Sequence, residues 1–160
     1  MKWIHVVSFL FSLLFLNTCN ALAAEPPTEQ TISMMHSLEQ YAIRYGNGPT
    51  KVYVFVDPKC PHSRDFISMI DDSEKMKSSY SYYIFLYELK RMKSNKLIGT
   101  IYASPSPLQK MLEVMVLGHE IKEIVSFPPQ VEEKIGDIEN IAQQLNVNKR
   151  PYLIIAKGWK

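Results

Sequence analysis

Residues 51–61, Lys-Val-Tyr-Val-Phe-Val-Asp-Pro-Lys-Cys-Pro, restrict the fold more than any other stretch of this chain. The first six are β-branched or aromatic and mostly apolar after Lys51, the pattern of a strand buried on both faces. Asp57-Pro58-Lys59 ends that strand. Pro61 suits the first position of a helix, where a missing N–H costs nothing. Phe66, Met69 and Ile70 give this helix an inner face, and it is predicted to end in the 70s. A strand that passes within a few residues into a helix belongs to a layered α/β protein.

The rest of the chain fits that class. Thr28 caps a predicted helix whose apolar positions are Ile32, Met35, Leu38, Ala42 and Tyr45, stopped by Gly46-Asn47-Gly48-Pro49. Residues 80–89 read as a second strand. Residues 97–102 read as either a strand or an irregular segment. A helix over 108–125 follows Pro105 and Pro107, with Met111, Leu112, Met115 and Val116 on one side, until Phe127-Pro128-Pro129 breaks it. Val131, Ile135, Ile138, Ile141, Ala142 and Leu145 mark a further helix, weakened at its start by Gly136. Residues 152–156, directly after Pro151, form a third strand. Alternating strands and helices predict a mostly parallel sheet.

The N-terminus reads as a targeting segment. Lys2 precedes an apolar run over 3–16, interrupted by His5 and two serines, and Ala21-Leu22-Ala23 fits a signal-peptidase site. The run is shorter than the roughly 20 residues of a membrane-spanning helix. The predicted organisation is a signal peptide over 1–23, an N-terminal helix and linker over 24–50, and one domain over 51–160 with a helical insert at about 90–130. Cleavage after Ala23 implies export to the periplasm. The rival reading, a lipidated Cys19, is disfavoured by Asn17 in its recognition box. Of the two cysteines, Cys60 alone remains after cleavage, and an unpaired cysteine in an exported protein points to intermolecular chemistry.

Composition narrows the partners. A net charge of +2 argues against nucleic acid and against an anionic membrane surface. No clustered Cys/His/Asp spacing, Gly-rich phosphate loop or Ser-His-Asp set is present, so neither a metal nor a cofactor is expected. His36 and His119 read as solvated histidines on helices.

Cys60 carries the chemistry. At a helix start it faces unpaired backbone N–H groups and the positive end of the helix dipole, which favour a thiolate. Such a sulfur is expected to point outward, with Lys59 and His62 as possible positive neighbours and His62 tuning the thiolate. The position three after Cys60, where a second cysteine would resolve a mixed disulfide internally, holds Ser63. Its hydroxyl could hydrogen-bond the thiolate but cannot resolve an adduct, so an external thiol or reductase is required.

These residues resemble a known family. "AIRYGNGPTKVYVFVDPKCPHSRDF" is similar to the entrance of the catalytic domain of periplasmic thiol:disulfide isomerases of the DsbC/DsbG type. "KIGDIENIAQQLNVNKRPYLII" is similar to their later helix and cis-proline strand, and Cys60-Pro61-His62 matches the start of a DsbA-type site. The resemblance implies a thioredoxin-like fold with a helical insert. It also implies catalytic roles for Cys60, His62 and Ser63 and a substrate groove involving Pro61, Arg150 and Pro151, with Pro151 as the cis-proline. Three departures stand out: Ser63, Arg150 in place of a small or β-branched residue, and an end at Lys160. The last predicts a domain without the final edge strand and C-terminal helix, leaving a sheet edge open to a partner.

Two functions follow. One is monothiol thiol–disulfide exchange, isomerase- or reductase-like, on the thiols or disulfides of exported proteins. The other is a non-catalytic binding module or assembly factor for an envelope complex.

Overall fold

A computed structural model describes residues 27–158. The predicted signal peptide lies outside the described residues. Thr28 begins the described fold as expected: its Oγ1 accepts from the Thr31 N–H at 3.1 Å, and helix α1, Glu29–Leu38, buries Ile32, Met35 and Leu38. The helix does not continue to Tyr45. A short 3-10 turn, Glu39–Tyr41, leads instead into strand β1, Ile43–Tyr45. Ala42 and Tyr45 keep helical spacing with Leu38, but pairing of β1 with a neighbouring strand outweighs that local signal.

Strand β2, Thr50–Val56, is buried throughout Val52–Val56. Helices α2, Pro61–Asp71, and α3, Glu74–Ser79, carry the chain back to strand β3, Tyr80–Leu86. β3 runs parallel to β2, with Val52 opposite Tyr82 and Val56 opposite Leu86. The last described strand, β4, is Tyr152–Ala156, and the sheet order is β1-β3-β2-β4.

The mostly parallel sheet is not found. Among the described residues only β2 and β3 are parallel; β1 is antiparallel to β3, and β4 to β2. Apolar runs show where strands lie and not which way they run. Here the helices after β3 return the chain to the end of β2 where Phe55 pairs with Tyr152, so β4 must run backwards along it.

The insert is helical. Residues 97–102, read as strand or irregular, lie within helix α4, Asn95–Tyr102. Leu97, Ile98, Ile101 and Tyr102 share one buried face, and the Tyr102 hydroxyl accepts from the Leu86 N–H at 2.8 Å. Gly99 is there for close approach, since a Cβ would lie 2.2 Å from the Phe127 ring. Helix α5, Pro107–Met115, stops well short of Val125, and the chain turns at Gly118 with φ +69°. His119 therefore lies in an irregular segment. Helix α6, Pro129–Gln144, buries Val131, Ile138 and Ala142.

The two sheet faces differ. Tyr53, Phe55, Tyr83 and Phe85 stack on one, with His36 of α1 edge-on to Tyr53. On the other, Phe66 of α2 meets Tyr82. Among the described residues β4 is an edge strand, and on the α2 face its Leu153 and Ile155 stay 41% and 48% exposed.

Candidate thiol site

β2 delivers its last residues to a tight turn built around Asp57. The Cys60 N–H donates to the Asp57 carbonyl at 3.0 Å, and the Lys59 N–H to Asp57 Oδ1 at 2.8 Å. Asp57 Oδ2 accepts from the Leu89 N–H at 2.6 Å and from Ser94 Oγ at 2.8 Å. This fully buried carboxylate therefore ties the turn to the segment after β3 and to the start of α4.

Cys60 is the N-cap of α2, with Pro61 in the first turn. Its carbonyl accepts the first helical bond, from the Arg64 N–H at 3.1 Å. The sulfur makes no capping bond, and the cysteine is free. The outward sulfur is not found: Cys60 is only 2% exposed. Ser63 also departs from expectation. It is fully buried, and its Oγ accepts from the Asp57 N–H at 3.1 Å instead of bonding the sulfur. Serine thus serves as a backbone clamp inside the turn. Pro61 and His62 are exposed at the helix start.

The neighbouring cations are committed elsewhere. Lys59 Nζ reaches Glu123 at 3.1 Å and donates to the Lys93 carbonyl at 3.1 Å. Arg64 donates to the carbonyls of Val114 at 2.9 Å and Met115 at 3.3 Å. Between them, Leu97, Val114 and Ile121 line a groove of about 550 Å³ beside the turn.

Arg150 and Pro151 approach from the other side. The Arg150–Pro151 peptide is cis. Because Tyr152 pairs with Phe55, Pro151 lies at the sheet end from which the Asp57 turn leaves. Arg150, expected to touch substrate, is turned inward and 7% exposed. It donates to the carbonyls of Tyr87, Glu88, Val147 and Lys149, with its guanidinium 4.0 Å from the Tyr87 ring centroid. Burial pulls the guanidinium below its ordinary pKa, while Tyr87, Asp57 and Cys60 act in the opposite direction.

No protein-family model matches the sequence, and no curated protein matches it. Solved structures do. A disulfide interchange protein from Neisseria gonorrhoeae aligns with a TM-score of 0.55 at 21% identity, over 72% of this chain and 79% of that one. ScsC from Proteus mirabilis, in a compact conformation, aligns with a TM-score of 0.64 at 12% identity, over 83% and 73%. A periplasmic thioredoxin-like protein from Salmonella enterica serovar Typhimurium aligns with a TM-score of 0.51 at 12% identity, over 82% and 86%.

The fold is thioredoxin-like.

Within this thioredoxin-like frame, Cys60, Pro61, His62 and Ser63 share the start of α2, while Arg150 and Pro151 enter from the β4 side. Asp57 was missed as a site residue. Its signal was present, because an acidic residue between a buried strand and Pro58 must find donors or water. Among the described residues no Cys/His/Asp/Glu group has metal-binding spacing. No described helix is long and apolar enough to cross a membrane.

Proposed function

We propose that this chain is an exported thioredoxin-like protein that carries out monothiol thiol–disulfide exchange through Cys60. The observation that carries the reading is a free cysteine at the N-cap of α2, directly beyond a central strand of this fold. The names of the Neisseria and Salmonella neighbours point the same way, toward disulfide interchange and the periplasm. In the reaction the Cys60 thiolate attacks one sulfur of a client disulfide and the other client sulfur leaves as a thiolate. The resulting mixed disulfide is broken by another thiol of the client, which leaves a rearranged client disulfide and returns the Cys60 thiolate, or by an external thiol or reductase. Ser63 takes no covalent part. His62 tunes the thiolate, and Pro61 and Pro151 border the client site. The domain reading goes with this proposal: an export signal over 1–23, then the 24–50 lead-in and the 51–160 domain. The DsbC/DsbG likeness favours an isomerase over a net oxidant.

A second reading, a non-catalytic binding module that contacts its partner through the open β4 edge, is favoured by the 2% exposure of Cys60. One experiment separates the two. Scrambled ribonuclease is incubated with the protein and a low concentration of thiol, and recovery of activity is followed beside non-reducing gels. Exchange chemistry requires that Cys60→Ala abolish both recovery and mixed-disulfide bands. Equal recovery from wild type and Cys60→Ala would defeat it.

A further inference from the structure

The groove beside the thiol turn has the size and lining of a small-ligand site. Its volume of about 550 Å³ lies within the usual range for such sites, and Leu97, Val114 and Ile121 give it apolar surface. Its walls bracket Cys60 along the chain. Pro58 and Lys59 immediately precede the cysteine, and Arg64, one helical turn on, donates its N–H to the Cys60 carbonyl. Opposite them runs the irregular segment from Gly118 to Glu123, where a Cβ on Gly118 would lie 3.3 Å from Arg64 Nη2. The charges of the groove sort into one pair and two free groups. Lys59 and Glu123 meet at 3.1 Å and neutralise each other. Arg64 spends Nε and Nη2 on the carbonyls of Met115 and Val114, which leaves Nη1 without a hydrogen-bond partner among the described residues. Glu120 is exposed and joins no salt bridge among the described residues, and its neighbour His119 is exposed as well. One guanidinium and one carboxylate on an apolar-floored groove complement a zwitterion, with a carboxylate for Arg64 and an ammonium for Glu120.

We propose that this groove seats the external thiol that the Ser63 site requires, and that the thiol is a zwitterionic peptide thiol of the glutathione class. The proposal rests on the exchange chemistry above and deepens it by naming the resolving reagent. Arg64 Nη1 holds a carboxylate of the ligand, Glu120 holds its ammonium, and the apolar floor takes its carbon chain. The bound thiolate attacks Cys60 Sγ of the mixed disulfide, and the client sulfur leaves with the electron pair as a thiolate. Cys60 is then joined to the ligand. A second ligand thiolate attacks the ligand sulfur of that disulfide, and Cys60 departs as a thiolate. The sum is one client thiol and one free Cys60 for two ligand thiols oxidised to their disulfide.

The test uses the full chain as wild type, Arg64→Gln and Glu120→Gln, with folding checked by circular dichroism. Cys60 is loaded with dipyridyl disulfide, whose neutral pyridinethione stands in for the client sulfur and is followed by absorbance. Its release is timed with glutathione and with 2-mercaptoethanol, compared at equal thiolate concentration. Wild type is expected to release faster with glutathione. Arg64→Gln is expected to lower the ratio of the glutathione rate to the 2-mercaptoethanol rate about tenfold, the scale of one charge-assisted hydrogen bond. Wild type that releases no faster with glutathione refutes the proposal, and so does a ratio that Arg64→Gln leaves unchanged. Binding is measured separately by calorimetry with S-methylglutathione, which has no free thiol. Saturable binding that weakens in both variants is expected, and a wild type that binds none overturns the site. If Arg64→Gln does not fold, S-methylglutathione binding that Glu120→Gln leaves unchanged refutes the assignment instead. A wild type that binds S-methylglutathione but never loads at Cys60 supports the groove and counts against exchange itself.

Discussion

Removing the Asp57 carboxylate by Asp57→Ala should loosen the thiol turn and cost about 3 kcal/mol of stability. Three donors lose their acceptor: the Leu89 N–H at 2.6 Å, the Lys59 N–H at 2.8 Å and Ser94 Oγ at 2.8 Å. Hydrogen bonds to a charged group contribute about 1.5–3 kcal/mol each, so a simple sum would exceed 4 kcal/mol. The sum is too large for two reasons. Lys59 is exposed, so its N–H can turn to water, and the Ser94 hydroxyl can rotate. Deleting a buried carboxylate also recovers part of its desolvation cost. Loss of an anion beside Arg150 works in the opposite direction. Urea unfolding followed by circular dichroism gives the difference from the midpoint, provided the slope is unchanged. Asp57→Asn is the internal control. Its one oxygen can still serve Leu89 and Ser94, so a loss of about 1–2 kcal/mol is expected. A loss below about 1 kcal/mol for the alanine variant would refute the claim that this carboxylate organises the turn.

Tyr102→Phe should cost about 1–2 kcal/mol, because it leaves the buried Leu86 N–H without an acceptor; thermal melts check this. Glu39 gives a pH prediction. Burial works to raise its carboxyl, but hydrogen bonds from Lys51 and Tyr53, with the charges of Lys51 and His36, hold it below its ordinary 4.5. A depressed folded value contributes stability above the unfolded value that is lost as pH falls through the folded one. Glu39→Gln should therefore flatten the decline of urea midpoints below about pH 4.5, and an unchanged acid limb would count against the ion pair.

Much of this fold was legible because its strongest elements declare themselves locally. The apolar run into Cys60-Pro61 gave β2 and α2, Thr28 gave the start of α1, and Pro151 gave the start of β4. Other features depended on distant partners. β1 has three residues, and its strand character comes from pairing with β3, so Ala42 and Tyr45 read as the end of a helical stripe. Residues 97–102 read as strand or irregular segment, and their helical form comes with the packing of α4 on Leu86 and Phe127. The site was half legible. Proximity in sequence gathers Cys60, His62 and Ser63. The clamp from Ser63 to Asp57 and the inward turn of Arg150 required the fold, since no local rule says which side of a turn a polar group will choose.

The grip of Arg150 on Tyr87 has a consequence in time. The two residues are 63 positions apart, so this contact is among the late ones to form as the chain emerges. Pairings distant in sequence cost more loop-closure entropy than local ones. The hydrogen bonds that close the Asp57 turn all come from residues between 57 and 94, none from β4. The thiol turn and the Arg150–Tyr87 grip thus belong to segments far apart in sequence, and the site is complete only when β4 is docked on β2.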